Sequence, residues 1–137
     1  MMNKLLLEDD NHCFVCGTLN AGGINLGFSF REDRAFAEFA LSKSFQGYKD
    51  IVHGGIITAI LDEAMIKAVL AMGIQAVTAQ ITVRFTNPLF IGEKASVEAG
   101  IVKSGRKLVE AAASIKGKDS RIIAEAEGKL LIRSNPR

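Results

Sequence analysis

Residues 52–63 contain a histidine, two glycines and an aspartate, which are residue types that could bind a substrate and catalyse a reaction. His53-Gly54-Gly55 precedes a long apolar segment, and Asp62 lies within that segment. If the segment is helical, the residues that share the face of Asp62 carry no charge; they are Thr58, Met65, Ile66 and Val69. An unpaired carboxylate in apolar surroundings costs stability, and it is kept mainly where a raised pKa or a poised base is useful. We therefore predict that Asp62 takes part in catalysis.

The next residue, Glu63, is expected to have a different role. Lys67 follows it at the spacing of a solvated ion pair on a helix. An aspartate near a helix start often serves as a cap, but Asp62 lies too deep in the segment to cap it. The pattern thus predicts that Glu63 has an ion-pair partner on the helix and that Asp62 has none.

The elements that must position these residues can be predicted from the periodicity of the chain. The segment Ile56–Met72 is nearly all apolar and predicts a helix enclosed by the rest of the fold, with Gly73 as its stop. Two strands are predicted before the helix and four after it: Ile24–Phe30, Ala35–Leu41, Val77–Phe85, Ala95–Lys103, Leu108–Lys116 and Arg121–Ile132. We expect the last four to form an antiparallel meander. The predicted fold class is therefore α+β, an antiparallel β-sheet wrapped around one long central helix.

The strand from Val77 to Phe85 has the most regular pattern. Its odd-numbered residues are apolar and its even-numbered residues are polar, which predicts one strand with one face on the core. A six-stranded sheet leaves edge strands open, and this strand is a candidate to pair with its copy across a two-fold axis. We therefore expect a homodimer.

Length and charge limit the classes of function. The 137 residues suit one domain, 1–137, with residues 1–23 as an N-terminal leader loop. A net charge of +2 is too small to predict a nucleic-acid partner. We expect no membrane span, because Asp62, Glu63 and Lys67 interrupt the candidate segment and each charge costs roughly 2.5–3.5 kcal/mol at that depth. Residues 1–7 do not resemble an export signal, so a cytoplasmic location is expected.

The leader contains both cysteines, in Cys13-Phe14-Val15-Cys16 followed by Gly17. Two cysteines cannot form a disulfide framework, and a reducing compartment is expected. A thioredoxin-like redox pair would open a helix, whereas the residues after Gly17 predict a loop. A zinc site with four Cys and His ligands would require both cysteines and both histidines, His12 and His53. We therefore predict a tight turn with two small buried thiols, and neither a metal nor a cofactor.

The order of the elements, together with His53-Gly54-Gly55 and Asp62, resembles the hotdog-fold acyl-CoA thioesterases, in particular the subgroup related to phenylacetate-pathway thioesterases and to the human thioesterase superfamily members. The resemblance extends over most of the chain. Its other motifs are Cys13-Phe14-Val15-Cys16-Gly17, Asn20, Gly23-Ile24-Asn25-Leu26, Phe45-Gln46-Gly47-Tyr48 and Arg84-Phe85-Thr86-Asn87-Pro88-Leu89. Ala21 departs from the pattern where a proline is usual, and Asp50 departs where a glycine often precedes the His-Gly-Gly.

The resemblance and the chemistry of thioesters assign roles to these residues. Hydrolysis needs an activated water or a nucleophile, plus donors to the oxygen that becomes negative. The N–H groups at a helix N-terminus are such donors, and Gly54 and Gly55 leave them accessible. We predict that the Gly55 N–H binds the thioester carbonyl and that Asp62 is either the general base or the nucleophile. The resemblance further implies that Asp62 acts across a subunit interface, that Thr78 assists it, and that the homodimer is often doubled to a homotetramer.

The predicted substrate-binding residues are Gln46, His53, Gly54, Arg106 and Lys107. The resemblance places the first three around the thioester, whereas the last two flank a turn where they could meet CoA phosphates. Each role has a structural alternative. His53 and Gly54 could serve only the loop, Thr78 is a good strand residue, and a basic turn is usually solvated.

The function predicted from these patterns is a cofactor-independent acyl-CoA thioesterase, which converts an acyl- or aryl-CoA to a free acid and CoA. The alternative is a non-catalytic acyl-CoA-binding hotdog domain, although such a domain has no use for an unpaired buried Asp62. A hotdog hydratase or dehydratase would pair a catalytic histidine with an acid, and the sequence lacks the patterns expected for it. The acyl group is left open, because aryl and aliphatic groups both suit Ile, Met, Phe and Val walls.

Overall fold

The helix α1 (Gly54–Leu70) lies against an antiparallel sheet in the computed structural model of the protein, which describes residues 7–134. Within these residues the sheet has six strands: β1 (Ser29–Arg31), β2 (Arg34–Phe39), β3 (Gln75–Phe85), β4 (Ala95–Ser104), β5 (Leu108–Lys116) and β6 (Ile122–Ser134). Strands β2 to β6 all contact the helix. The predicted α+β arrangement is therefore confirmed. The first six residues of the predicted leader lie outside the described residues.

Helix α1 is almost wholly apolar because the fold encloses it. Seven of its side chains are buried: Ile57, Ile60, Leu61, Ala64, Met65, Ala68 and Val69. Gly73 follows the helix with a φ of 79°, a left-handed conformation that favours glycine and ends the helix. The helix predicted over 56–72 is confirmed, although both of its ends lie two residues earlier.

The order of strands in the sheet differs from the predicted meander. The order is β1-β2-β4-β5-β6-β3, so β3 pairs with β6 while β4 pairs with β2. The prediction that β3 lies beside β4 was wrong, because an alternating pattern fixes which face of a strand is buried but not which strand lies next to it. Residues 86–94 carry the chain from β3 to β4. Buried Leu89 anchors this connection, and its carbonyl accepts the Val52 N–H at 2.9 Å.

A β-bulge in β3 changes which of its residues face the helix. The register with β6 shifts between Thr78 and Gln80, so that Ala79 is the extra residue. Ala76 is buried before the bulge, and Ile81 packs against the core after it. The inward face thus changes from even-numbered to odd-numbered residues, and the prediction of one uninterrupted alternation was wrong. Thr78, a polar member of that alternation, consequently lies on the helix side.

The predicted hairpin before the helix is confirmed, but its first strand is shorter than predicted. β1 begins at Ser29 rather than Ile24. Residues 24–28 instead follow the leader, where the Ile24 N–H donates to the Phe14 carbonyl at 2.8 Å. Strands β1 and β3 are the two edges of the sheet. Within residues 7–134, no helix combines the length and the hydropathy that a membrane crossing requires.

The leader forms the predicted tight turn at its two cysteines. The Gly17 N–H donates to the Cys13 carbonyl at 2.9 Å. A Cβ on Gly17 would overlap the backbone of Cys13 and Asn11, so this close approach requires glycine. Both thiols are partly rather than fully buried.

Candidate active site

His53 is the N-cap of α1, and its side chain fixes the start of the helix. Its Nδ1 accepts a hydrogen bond from the Gly55 N–H at 2.8 Å, and its carbonyl accepts the Ile56 N–H at 2.9 Å. Its own N–H donates to the Phe45 carbonyl at 2.9 Å, which joins the helix start to the preceding loop. The donor that the sequence assigns to a substrate carbonyl is thus engaged by the imidazole. A carbonyl would reach the Gly55 N–H only if the His53 ring turned away or shared the bond.

A cavity of 780 Å³ opens beside the helix start. Gly54, His53 and Phe85 border it, and its other walls are mainly apolar, including Ile51, Val52, Ile57, Leu89 and Ile123. The described residues that line it do not include Gly55 or Asp62. A Cβ on Gly54 would meet the Phe85 ring at 3.7 Å, an ordinary contact, whereas a Cβ on Gly55 would meet His53 Nδ1 at 3.0 Å. Gly54 therefore has space on its cavity side, and Gly55 is confined by the imidazole.

Asp62 and Thr78 are brought together across the helix–sheet interface. The Thr78 hydroxyl donates to Asp62 Oδ1 at 2.5 Å. Burial raises the pKa of the Asp62 carboxyl above its usual value, the hydrogen bond from Thr78 lowers it, and the charge of Glu63 raises it. The net effect is a raised pKa. A carboxylate in this state can accept a proton from water more readily than an exposed aspartate can.

Gly55 and Asp62 lie about two turns apart on the same helix. Their separation of seven residues spans roughly 10 Å along the axis at 1.5 Å per residue. A reacting group must come within about 3 Å of each group that acts on it. One thioester therefore cannot contact the Gly55 N–H and the Asp62 carboxylate of a single protomer at once.

The remaining predicted substrate-binding residues lie apart from the cavity. Gln46 Oε1 accepts the Asp50 N–H at 3.0 Å, and Asp50 has a φ of 64°, so Gln46 stabilises a strained turn in the loop before the helix. Asp50, the residue that replaces a glycine of the family pattern, pairs with Lys43 at 3.5 Å on the surface. Arg106 and Lys107 are exposed between β4 and β5. The described lining of the cavity includes none of these side chains.

The ion pair between Glu63 and Lys67 is not solvated. Their side chains are only 15% and 18% exposed, with Lys67 Nζ 3.6 Å from Glu63 Oε2. The leader covers the pair, and the thiols of Cys16 and Cys13 donate to the same oxygen at 3.0 and 3.6 Å. The prediction of a solvated pair was wrong because spacing along the helix does not reveal what covers it. The two cysteines lie 47 and 50 residues away from Glu63, and no local signal indicates these contacts.

Comparison with known families and proteins identifies the family to which this chain belongs. The model of the thioesterase superfamily matches residues 49–124, more than half of the chain. A protein of Archaeoglobus fulgidus named "Putative esterase" is 28% identical over 98 residues. The matched region is 72% of this chain and 64% of that protein, so the chain spans less than two thirds of the relative's length.

Solved structures of low sequence identity have the same hotdog fold. A Streptococcus mutans protein bound to acetyl CoA has a TM-score of 0.78 and 18% identity, over 82% of this chain and 92% of that one. The Escherichia coli PaaI protein from the phenylacetic acid degradation operon has a TM-score of 0.75 and 21% identity, over 79% and 83%. A hypothetical thioesterase protein of Streptococcus pneumoniae was solved with an aspartate changed to alanine and also with a threonine sixteen positions later changed to alanine. Both variants have a TM-score of 0.77 and 16% identity, over 81% of this chain and 93% and 92% of theirs. With the family match, these observations show that the chain belongs to the thioesterase superfamily.

Proposed function

We propose that this protein is an acyl-CoA thioesterase that hydrolyses a thioester to a free acid and CoA. The contact between Asp62 and Thr78 carries the proposal, because it places a partly buried carboxylate of raised pKa on the helix whose N-terminus borders an apolar cavity. A domain that only binds a ligand has no need of such a carboxylate. The aspartate and threonine changed in the Streptococcus pneumoniae protein have the same sixteen-residue separation as Asp62 and Thr78, which supports the assignment.

Each part of the site has a role in this reaction. The acyl group occupies the 780 Å³ cavity, and the thioester carbonyl accepts the Gly55 N–H after the His53 ring moves. Asp62 either takes a proton from the attacking water or attacks the carbonyl carbon itself, forming an anhydride that water then hydrolyses. In both routes the carbon–sulfur bond breaks and CoA leaves as the thiol. Thr78 holds the carboxylate. Arg106 and Lys107 do not line the cavity of their own chain, so their contact with the CoA phosphates is proposed for the dimer.

The active unit in this proposal is a homodimer, with a tetramer formed as a dimer of dimers. Because the Gly55 N–H and the Asp62 carboxylate of one chain are too far apart to contact one thioester together, we propose that Gly55 of one protomer acts with Asp62 of its partner. Strand β3 is an edge of the sheet and offers its unpaired backbone groups for this contact. The site is therefore incomplete in a single chain.

We also place the protein in the cytoplasm. Both cysteines lie within the described residues and are free thiols, as expected in a reducing compartment. Fractionation of the source cells tests this location directly. Recovery of the protein with exported or membrane fractions would contradict it.

The proposal is tested by measuring thiol release from a panel of aliphatic and aryl acyl-CoAs, with hydration of crotonyl-CoA measured in parallel. The wild type should release CoA, whereas Asp62→Asn should not. Glu98→Gln is the matched control, because Glu98 is an exposed carboxylate paired with Arg34 on the sheet. Binding of acyl-CoA without thiol release would favour the non-catalytic alternative. Hydration without thiol release would favour a hydratase, and either result overturns the proposal.

A further inference from the structure

Three potential metal ligands converge where the leader covers helix α1. The sulfur atoms of Cys13 and Cys16 and a carboxylate oxygen of Glu63 all lie within 4.8 Å of one another. We call these residues the Cys-Cys-Glu cluster. All three are partly buried, and the turn that Gly17 permits sets the spacing of the two sulfurs. The cluster lies outside the catalytic machinery described above, although Glu63 is the residue next to Asp62.

The distances in the cluster are close to the edges of a tetrahedral zinc site. With Zn–S bonds near 2.3 Å and Zn–O bonds near 2.1 Å, tetrahedral geometry separates sulfur from oxygen by about 3.6 Å and the two sulfurs by about 3.8 Å. Cys13 Sγ lies 3.6 Å from Glu63 Oε2, and Cys16 Sγ lies 3.0 Å from it. A shift of roughly half an ångström at Cys16 brings its sulfur to the tetrahedral distance from the oxygen. The two sulfurs lie within 4.8 Å of each other, so an approach by no more than about 1 Å completes the three edges.

The charge of the cluster also suits a divalent cation. Two thiolates and one carboxylate around Zn²⁺ carry a net charge of −1, and the Lys67 ammonium, 3.6 Å from the Glu63 oxygen, brings the total to zero. The fourth coordination position would face a cavity of 410 Å³ that His12, Asp9 and Asp10 help to line. This cavity has room for a water molecule or for the His12 ring.

We infer that Cys13, Cys16 and Glu63 bind one zinc ion, with the fourth position directed into the 410 Å³ cavity. Binding displaces one proton from each thiol, so two protons are released for each ion bound. Counting cysteines and histidines in the sequence could not find this site, because its third ligand is a glutamate from the middle of the helix. The expectation of no metal rested on that count.

The zinc ion would fix the leader to the active-site loop as well as to the helix. Phe14 lies between the two cysteines, and its ring contacts the ring of Phe45 edge-on, with centroids 6.5 Å apart. The Phe45 carbonyl in turn accepts the His53 N–H at 2.9 Å. Binding of zinc should therefore restrict the turn that supports the histidine cap.

The test is metal binding by the full chain, purified with a chelator and kept reduced. Titration with Zn²⁺ against a chromophoric chelator should give one ion per chain. Titration with Co²⁺ should give the visible bands of a tetrahedral ion and a sulfur-to-cobalt charge-transfer band. Glu63→Gln and Cys16→Ser should each weaken Zn²⁺ binding more than the roughly 10–100-fold lost when an outer hydrogen-bonding partner of a ligand is removed. Glu98→Gln, the same substitution at an exposed pair, should bind Zn²⁺ like the wild type.

A second measurement needs no substitution and keeps the inference testable if a variant fails to fold. Zn²⁺ should protect Cys13 and Cys16 of the wild type from alkylation by a maleimide, and a chelator should restore the reaction. Reduced wild type that binds no Zn²⁺, or thiols that react equally with and without it, would overturn the inference. The same holds if folded Glu63→Gln binds Zn²⁺ like the wild type. None of these readouts depends on hydrolysis, so the thioesterase proposal stands or falls separately.

Discussion

Asp62 should have opposite effects on turnover and on stability, because its carboxylate is both the proposed reacting group and a partly buried charge. Asp62→Asn keeps the volume and can still accept the Thr78 hydroxyl, but it cannot take a proton or attack a carbonyl carbon. We expect kcat to fall by roughly 10²–10⁴, the usual contribution of general acid–base catalysis. Steady-state kinetics on the best acyl-CoA substrate will measure the loss, with Glu98→Gln as the control.

The stability of Asp62→Asn shows whether the variant is inactive for the proposed reason. The folded-state pKa of Asp62 is raised, so the wild type loses stability as pH rises from the unfolded pKa through the folded one. Asp62→Asn removes this loss and should have the higher Tm at neutral pH. The difference in Tm between Asp62→Asn and the wild type should diminish at pH values below the usual aspartate pKa. A lower Tm at neutral pH would contradict the destabilising charge, and a variant unfolded at the assay temperature would attribute the inactivity to loss of the fold.

Thr78 should affect the pH at which kcat/KM falls on the acid side of its pH profile. Its hydrogen bond lowers the pKa of Asp62 against the effect of burial, so Thr78→Val should raise that pKa further. Because the base acts when it is deprotonated, the acid limb of kcat/KM should move to higher pH. A milder loss of kcat than that of Asp62→Asn should accompany this shift. Thr82→Val is the matched control, since Thr82 is an exposed threonine on the same strand; equal shifts in both variants would rule out a specific role for Thr78.

The glycine at position 55 can be tested apart from the imidazole that covers it. Gly55→Val should reduce kcat by at least the ~10²–10³ lost with one oxyanion donor, because bulk there blocks the carbonyl and pushes on His53. Gly55→Ala, measured with and without His53→Ala, separates these effects. If the clash with the ring causes the loss, then His53→Ala should partly restore activity. Folded Gly55→Val with wild-type kcat would show that the carbonyl does not bind at the helix start.

At the scale of single elements, the bulge at Ala79 determines which way Thr78 points. Deleting Ala79 removes the extra residue, so that Thr78 and Gln80 become neighbours in a regular strand whose inward residues still include Thr78, Ile81 and Val83. We therefore expect the deletion to keep the contact between Thr78 and Asp62 and to retain more activity than Thr78→Val, which lacks the hydroxyl. Circular dichroism will check that the sheet survives. A folded deletion variant with less activity than Thr78→Val would mean that the bulge does more than bring Thr78 to the inner face.

The same elements show what the sequence can predict. The extents of α1 and of β4, β5 and β6 follow closely from apolar periodicity, because burial of one face is a local requirement. The pairing of β3 with β6 and the bulge at Ala79 depend on contacts between distant segments, and local patterns do not encode them. Asp62 was recognised from its apolar helix face. The role proposed for Thr78 rests on a family resemblance, since simple alternation would place Thr78 on the outer face of the strand.

At the scale of the whole molecule, the separation of Gly55 from Asp62 predicts complementation between two inactive chains. Refolding Asp62→Asn together with Gly55→Val should form mixed dimers, each with one intact site. Random pairing makes half of the dimers mixed, so about a quarter of wild-type activity should return. Each variant refolded alone is the control. If mixing restores no activity although mixed dimers are shown to form, the two residues do not act across an interface.

Asp62 and Glu63 are consecutive, yet they point about 100° apart around α1 and meet different surroundings. For protein engineering, the surroundings of Glu63 determine how far the chain can be shortened from its N-terminus. A chain that starts after Gly17 would expose Glu63 and Lys67 and turn an interior face of the helix into surface next to the reacting carboxylate. The family match begins only at residue 49. We therefore expect the shortest autonomous domain to begin well upstream of the matched region, before Cys13.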